Sequence, residues 1–454
     1  MGKLFGTNGV RGVANTELTV EMITRLAAST GAFLGGGIAL GMDGRTTSPM
    51  FKGAAVSGLL SVGCSVHEVG MLPTPALQFY VRRHGLNGGL MVTASHNPPE
   101  FNGVKVMACD GVEISREQES EIESIYFKSG PELSPWNRIG RVQKEEPLKS
   151  YKEAVIDHVK CEGVKNARLK VALDPGNGVA ALTAPYIARE LGCNVFTVNA
   201  NVDGRFPGRD SEPRPDNLSD LSSLVKSSEA DVGVAFDGDG DRSLFVDETG
   251  EVHWGDRSFA LVAKEYLKEH EGAKVATPVS SSRVIEDVVS EGGGEVVWTK
   301  VGSVVVSRRM VDDGIMLGGE ENGGIMYGPH LEARDGSMAM ALILEIMAKK
   351  GRPLSELFGE LPQYEQMKDR VSCPHELKER ALNALQEKVD ATRVETLDGV
   401  KLWYDDGSWI LIRPSGTEPI FRLYAESEKK ERVSEILEEN KALIESVIDA
   451  LKDP

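Results

Sequence analysis

The stretch LKVALDPGNGVAALTAPYIARELGCNVFTVN, residues 169–199, decides how the chain is read. It opens on a β-branched run, turns on small residues and continues with apolar residues at helical spacing. It stops at Gly192 and closes on a second β-branched run. Such a switch of hydrophobic period marks a βαβ unit. The same order recurs in IALGMDGRTTSPMFKGAAVSGLLSVGCSVHEVG, residues 38–70, and in AKVATPVSSSRVIEDVVSEGGGEVVWTKVG, residues 273–302. Three copies of one unit predict three similar α/β domains with mixed or largely parallel sheets.

Each copy continues in the same way, through a second helix and a short strand into a polar loop. These read GGLMVTASHNP (88–98), ADVGVAFDGDGDR (230–242) and DGIMLGGEENGG (313–324). Ligands of open α/β sheets gather beyond the carboxyl ends of the strands. A serine loop, an aspartate loop and a carboxylate–amide loop are therefore expected around one central cleft. After residue 368 the pattern changes to hairpins turned at Asp398-Gly399 and Asp406-Gly407, with a helix over about 376–389 and a final charged helix. This is a smaller α+β domain. The expected boundaries are 1–150, 151–252, 253–368 and 369–454.

The bulk composition narrows the function. A chain of 454 residues with 41% apolar content and no long apolar run is a multidomain globular protein without a membrane span. The opening MGKLFGTNGVRG lacks the layout of a signal peptide. Five cysteines at unpaired spacings argue against disulfides or zinc and for the cytoplasm. With 51 basic against 69 acidic residues the net charge is −18, which opposes nucleic-acid binding. An anionic substrate would need positive charge supplied locally.

The loops can supply it. In DGDGDR, Asp237, Asp239 and Asp241 alternate with glycines, so three hard oxygen ligands converge as Mg²⁺ or Ca²⁺ requires. Glu248 falls at the twelfth position of an EF-hand, but Arg242 replaces its glycine and the flanks are strands. RPSGTEP offers the Arg413 fork, the hydroxyls of Ser415 and Thr417, and Gly416, with Arg422 in reach; this is the composition of an anion nest. GGEENGG offers Glu320 and Asn322 to sugar hydroxyls. Arg11 and Arg45 add cations beside glycines, and Lys105 lies on an apolar strand where its pKa is expected to fall. Ser95 is read as the carrier of a phosphoryl group, since phosphoryl transfer needs positioning and charge neutralisation. His96 is its immediate neighbour; adjacent side chains on an extended segment diverge, so a structural or phosphate-orienting role is expected. The rivals are a dinucleotide turn at Gly176-x-Gly178, a sugar phosphatase and a non-catalytic phosphosugar binder.

TASHNP, DGDGDR and RPSGTEP, in this order, resemble the signatures of the α-D-phosphohexomutase family along the whole chain. The opening FGTNGVRG is similar to that of its archaeal phosphoglucosamine mutase branch. The resemblance implies four domains and an isomerase using phosphoserine 95, with Mg²⁺ on Ser95, Asp237, Asp239 and Asp241. It implies a sugar 1,6-bisphosphate as intermediate and activator, and a phosphosugar substrate, with phosphoglucosamine favoured over phosphomannose or phosphoglucose. Arg11, Lys105, Arg242 and His96 would line the catalytic centre. Glu320 and Asn322 would bind sugar, and Arg413, Ser415, Gly416, Thr417 and Arg422 the non-reacting phosphate. A monomer or homodimer is expected. One departure stands out: many relatives end the sugar loop with Ser-Gly-His, whereas this chain has Asn322-Gly323-Gly324.

Overall fold

The computed structural model describes residues 4–128, 130–388, 391–416 and 418–452. Four sheets follow one another along the chain. In the first, strand Gly37–Met42 lies between Ser65–Met71 and Gly88–Val92, all parallel, and Gly88–Val92 then pairs antiparallel with Phe101–Ala108. The second repeats this order: Lys170–Asp174 lies between Asn194–Thr197 and Val232–Phe236, and Val232–Phe236 pairs antiparallel with Ser243–Asp247. The third does so again with Lys274–Pro278, Glu295–Thr299, Leu317–Gly319 and Ile325–Tyr327. The expected α/β repeats are present. The loop-bearing strands Gly88–Val92, Val232–Phe236 and Leu317–Gly319 are buried along their whole length, as strands covered on both faces must be.

The equivalence of the copies fixes where function can sit. In all three, the polar loop joins the third strand to its antiparallel partner, so each loop occupies the same corner of its sheet. Helix Gly336–Lys350 packs between the second and third domains, while the first domain also has a core of its own around Phe51, Leu59 and Leu90. The helix carries almost no polar face, and its buried residues belong to one apolar core with Leu77, Tyr151, Ile187 and Phe259 from the preceding segments.

The fourth sheet is wholly antiparallel, Glu365–Ser372, Ile420–Ser427, Trp409–Pro414, Val400–Trp403 and Arg393–Glu395 in spatial order. Helices Lys378–Lys388 and Lys430–Lys452 accompany it, and its core is separate from the others. It meets the third domain through a small apolar cluster of Val279, Trp409 and Leu411. Among the described residues, no helix is long and apolar enough to cross a membrane.

Candidate active site

Ser95 is held in a conformation that a serine seldom adopts, with φ of 51°. Several bonds impose it. The Ser95 N–H donates to Thr93 Oγ1 at 2.8 Å, and Thr93 in turn donates to Asp43 at 2.7 Å. Buried Arg45 closes the loop from beneath, donating to the carbonyls of Ser95 (2.8 Å), Asn97 (2.6 Å), Pro98 (2.6 Å) and Phe101 (3.0 Å). Asp43 and Arg45 lie in the first strand-to-helix turn, so this turn serves the serine loop. Ser95 Oγ is thereby presented to Asp237 Oδ2, to which it donates at 2.9 Å.

The aspartate loop packs directly on the serine loop. A Cβ on Gly238 would come 2.6 Å from the Ser95 carbonyl oxygen, so only glycine fits. Gly178 packs on the same loop, and Arg209 lies over Gly176 while pairing with Asp174 at 2.7 Å. These glycines therefore support the aspartate loop, which answers the dinucleotide reading of this turn. Asp237, Asp239 and Asp241 are buried, with one carboxylate oxygen from each within 4.8 Å of the others. Lys105 Nζ donates to Asp239 at 2.7 Å and to Asp241 at 2.8 Å. Asp239 Oδ1 and Asp241 Oδ1 are buried without a hydrogen-bond partner. Orphaned carboxylate oxygens converging beside a hydroxyl fit a hard divalent cation. Glu248 lies elsewhere, accepting from the Ser355 backbone at 3.2 Å, so no EF-hand forms.

The electrostatics divide the trio. Burial, reinforced by Asp241 and Asp239, pushes Asp237 well above the usual carboxylate range. Burial also works against ionisation of Asp239 and Asp241, but Lys105 holds the first down and Arg334 with Lys105 the second, so both fall below their ordinary value. Lys105 corrects the expectation of a falling pKa. Burial does press it down, yet Asp239 and Asp241 outweigh burial and raise it, so it stands here as an ammonium. Burial brings Arg11 down to about 10; its guanidinium donates to Asn97 Oδ1 at 2.9 Å and to the Ala94 carbonyl at 3.1 Å. Arg242 donates its N–H to Asp237 at 3.2 Å and its guanidinium to Glu212 at 3.1 Å. His96 makes no bond to Ser95; burial, then Arg242 and Arg11, drive its pKa well below the ordinary value.

The 318–324 loop joins this cluster through its backbone. Ser243 N–H donates to the Gly323 carbonyl at 3.1 Å, and Gly323 has φ of 87°. Glu320 is buried and receives Arg334 at 3.1 Å, while Asn322 Oδ1 accepts from the Gly324 N–H at 3.2 Å. Arg334, which the sequence does not single out, ends strand Leu331–Arg334 and also donates to Asp241 at 2.6 Å. It thus ties the 318–324 loop to the aspartate loop. Its side chain fills the space beside Gly324, where a Cβ would lie 2.3 Å from Arg334 Cδ.

The 413–422 loop stands apart. Among the described residues, no hydrogen bond or ion pair joins it to Ser95 or the aspartates. Arg413 and Arg422 face each other across the hairpin Trp409–Pro414 and Ile420–Ser427. Arg413 donates to Asp398 at 2.6 Å and Arg422 to Glu418 at 2.6 Å. Ser415 Oγ accepts from the Glu418 N–H at 3.1 Å, and Gly416 is exposed with nothing near its Cα substituent positions. Thr417 lies outside the described residues. Asp398 also accepts from the Val301 N–H at 2.9 Å, and Ser303 accepts from Asn8 at 3.2 Å, so the third domain touches both the fourth domain and the segment preceding Arg11.

Known proteins carry the same architecture. Phosphoglucomutase/phosphomannomutase family profiles match in order: α/β/α domain I at residues 2–132, domain II at 149–250, domain III at 254–364 and the C-terminal domain at 370–443. A Thermococcus kodakarensis phosphoglucomutase/phosphomannomutase is 41% identical over 99% of this chain and 100% of its own. A Sulfurisphaera tokodaii phosphoglucosamine/phosphogalactosamine mutase is 41% identical over 98% of this chain and 100% of its own. The crystal structure of a Burkholderia thailandensis family protein, 27% identical, superposes with a TM-score of 0.88 over 98% of this chain and 97% of its own. With its three repeated α/β domains, a fourth smaller domain and these relatives, the chain belongs to the α-D-phosphohexomutase family of isomerases.

Proposed function

We propose that the enzyme interconverts hexosamine or hexose 6-phosphates and 1-phosphates through phospho-Ser95 and a sugar 1,6-bisphosphate, with phosphoglucosamine preferred. The observation that carries this reading is the 2.9 Å bond from Ser95 Oγ to Asp237 inside a buried carboxylate trio flanked by Lys105. Asp237, Asp239, Asp241 and phospho-Ser95 would hold Mg²⁺, which when bound supplies Lewis-acid neutralisation of phosphate charge.

In the first half-reaction the bond from Ser95 Oγ to phosphorus breaks and a bond from the sugar hydroxyl to phosphorus forms. The proton lost by that hydroxyl ends on Ser95 Oγ. Charged Lys105, Arg11 and Arg242 offset the charge on the phosphoryl oxygens, where buried cations act most strongly. Neutral His96 orients the phosphoserine and takes no proton from it. Glu320 and Asn322 bind sugar hydroxyls. Arg413, Ser415, Gly416, Thr417 and Arg422 grip the other phosphate, the task for which a guanidinium fork is suited. The bisphosphate then turns over in the cleft and returns its second phosphoryl group to Ser95. The contact between the third and fourth domains, a small apolar cluster with bonds such as Arg283 N–H to Glu426 and Lys401 to the Val279 carbonyl around it, would serve as a hinge that closes over the cleft and keeps water from the phosphoserine.

The preference for glucosamine draws on the FGTNGVRG segment and on relatives such as the Sulfurisphaera tokodaii mutase. The equally similar Thermococcus kodakarensis protein favours a phosphomannomutase/phosphoglucomutase as second reading. A cytoplasmic monomer or homodimer accords with either. Intact-mass measurement should find a phosphate adduct that Ser95→Ala lacks, and kcat/KM should be highest for glucosamine 1-phosphate among the three sugar 1-phosphates. Full turnover by Ser95→Ala with bisphosphate present would falsify the phosphoserine scheme; a higher kcat/KM for mannose or glucose 1-phosphate would overturn only the sugar.

A further inference from the structure

Where the first three domains meet, away from the cluster around Ser95, lies a cavity of about 370 Å³. Helix Thr74–Arg83 contributes Phe79, Arg82 and Arg83, helix Leu148–Asp157 ends beside it at Asp157 and His158, and His330 comes from the turn before strand Leu331–Arg334. The floor is aromatic. His330 stacks on Phe79 with centroids 5.4 Å apart and meets His158 edge-on at 5.2 Å. The rim carries two arginines and Asp157. Arg83 lies 5.6 Å over the Phe79 ring and, among the described residues, has no ion pair, whereas Arg82 pairs with Glu332.

His330 is the unusual member. It is only 4% exposed, yet neither ring nitrogen makes a hydrogen bond, although Nε2 lies 3.3 Å from Asp335 Oδ2. Buried polar atoms without partners are rare in native proteins and destabilising. Here one of them lines a cavity whose volume falls in the roughly 300–1,000 Å³ range of small-molecule sites. On a chain of net charge −18, Arg83 supplies a positive charge without an ion pair, among the described residues, beside the two histidines of this hollow. The opposing charges are Asp157 on the exposed edge, Glu332 against Arg82 and Asp335 beside His330.

Two walls of this cavity end on the metal-binding loop. Helix Thr74–Arg83 starts with Thr74 N–H donating to the Asp239 carbonyl at 2.9 Å and Thr74 Oγ1 donating to the Asp239 carboxylate. Strand Leu331–Arg334 leaves His330 and ends on Arg334, which holds Asp241.

We propose that this cavity is a second ligand site, for a small phosphomonoester that carries a ring, and that its occupancy is transmitted to Asp239 and Asp241. The phosphate lies against the Arg83 fork and His330, and the ring lies on the aromatic floor. This site is distinct from the one that performs the isomerisation and does not depend on which sugar is isomerised.

The test is calorimetric titration of the full-length enzyme with adenosine 5′-monophosphate, uridine 5′-monophosphate and inorganic phosphate. Wild type, exposed-site Arg83→Glu, His330→Phe (which keeps the stacking) and Arg413→Ala are compared. The expected result is binding of a ring-bearing monophosphate that Arg83→Glu weakens at least tenfold, His330→Phe weakens, and Arg413→Ala leaves intact. The same ligand should shift the Mg²⁺ concentration for half-maximal activity by about fivefold or more in wild type and not in Arg83→Glu. Absence of binding by all three probes at about 1 mM overturns the site, as does binding lost in Arg413→Ala and kept in Arg83→Glu. Binding with an unshifted Mg²⁺ requirement overturns the transmission.

Discussion

Under the proposed function, the cluster around Ser95 and the 413–422 loop would handle phosphate in two ways. At Ser95 the supporting groups are anchored more than once: Arg45 alone fixes four carbonyls, Lys105 bridges two aspartates and Arg334 bridges two loops. In the 413–422 loop Arg413 and Arg422 each lean on a single carboxylate, and Gly416 is exposed. The first arrangement suits bond making, where small displacements are costly. The second suits the grip proposed for either end of a sugar bisphosphate. On that proposal, position is imposed where the phosphoryl group would move, and tolerance is retained where the substrate would turn.

Mutations can break this contrast. Ser95→Ala should have the largest effect, a fall in kcat on the order of 10⁴ or more, as loss of a nucleophile brings. Arg334→Ala should follow, lowering kcat by about 10²–10³, with partial recovery in Arg334→Lys; Gly324→His should be tolerated better alongside Arg334→Ala than alone, because Arg334 fills its space. Arg413→Ala should act mainly through KM, raising it by about tenfold or more for either phosphosugar isomer, as loss of one charge-assisted contact implies. An equal loss in kcat would erase the distinction between the two regions.

The smallest effect concerns the junction between them. Burial, then Glu321 and Glu426, push Asp256 up to about 8 against the opposing charge of Lys368. Between its ordinary value of 3.8 and about 8 the folded protein holds a proton that the unfolded chain has released. Stability therefore falls as pH rises through that window. Asp256→Asn should flatten the fall and raise Tm by several degrees above pH 8, with little change near pH 4, as read by scanning calorimetry.

Much of this was legible in the sequence because it is local. The βαβ repeats show themselves by period, and DGDGDR by alternation; the loops they predict occupy equivalent corners. What the sequence hides is non-local. Arg334 meets Asp241 across 93 positions, with nothing near it in the chain to mark the meeting. Arg45 looks like an isolated arginine until the serine loop folds over it. Lys105 misleads for the same reason: its sequence neighbours are apolar, but its spatial neighbours are two aspartates. The 413–422 loop can be picked out by composition, while its relation to the cleft depends on how the fourth domain is seated.

Helix Gly336–Lys350, embedded in the shared core, has a consequence for denaturation. The second and third units both pack on it, so neither can release it alone and these two should melt as a single cooperative block. The last domain, with its own core, is free to lose structure first, and a calorimetric trace should resolve it as a separate, smaller transition.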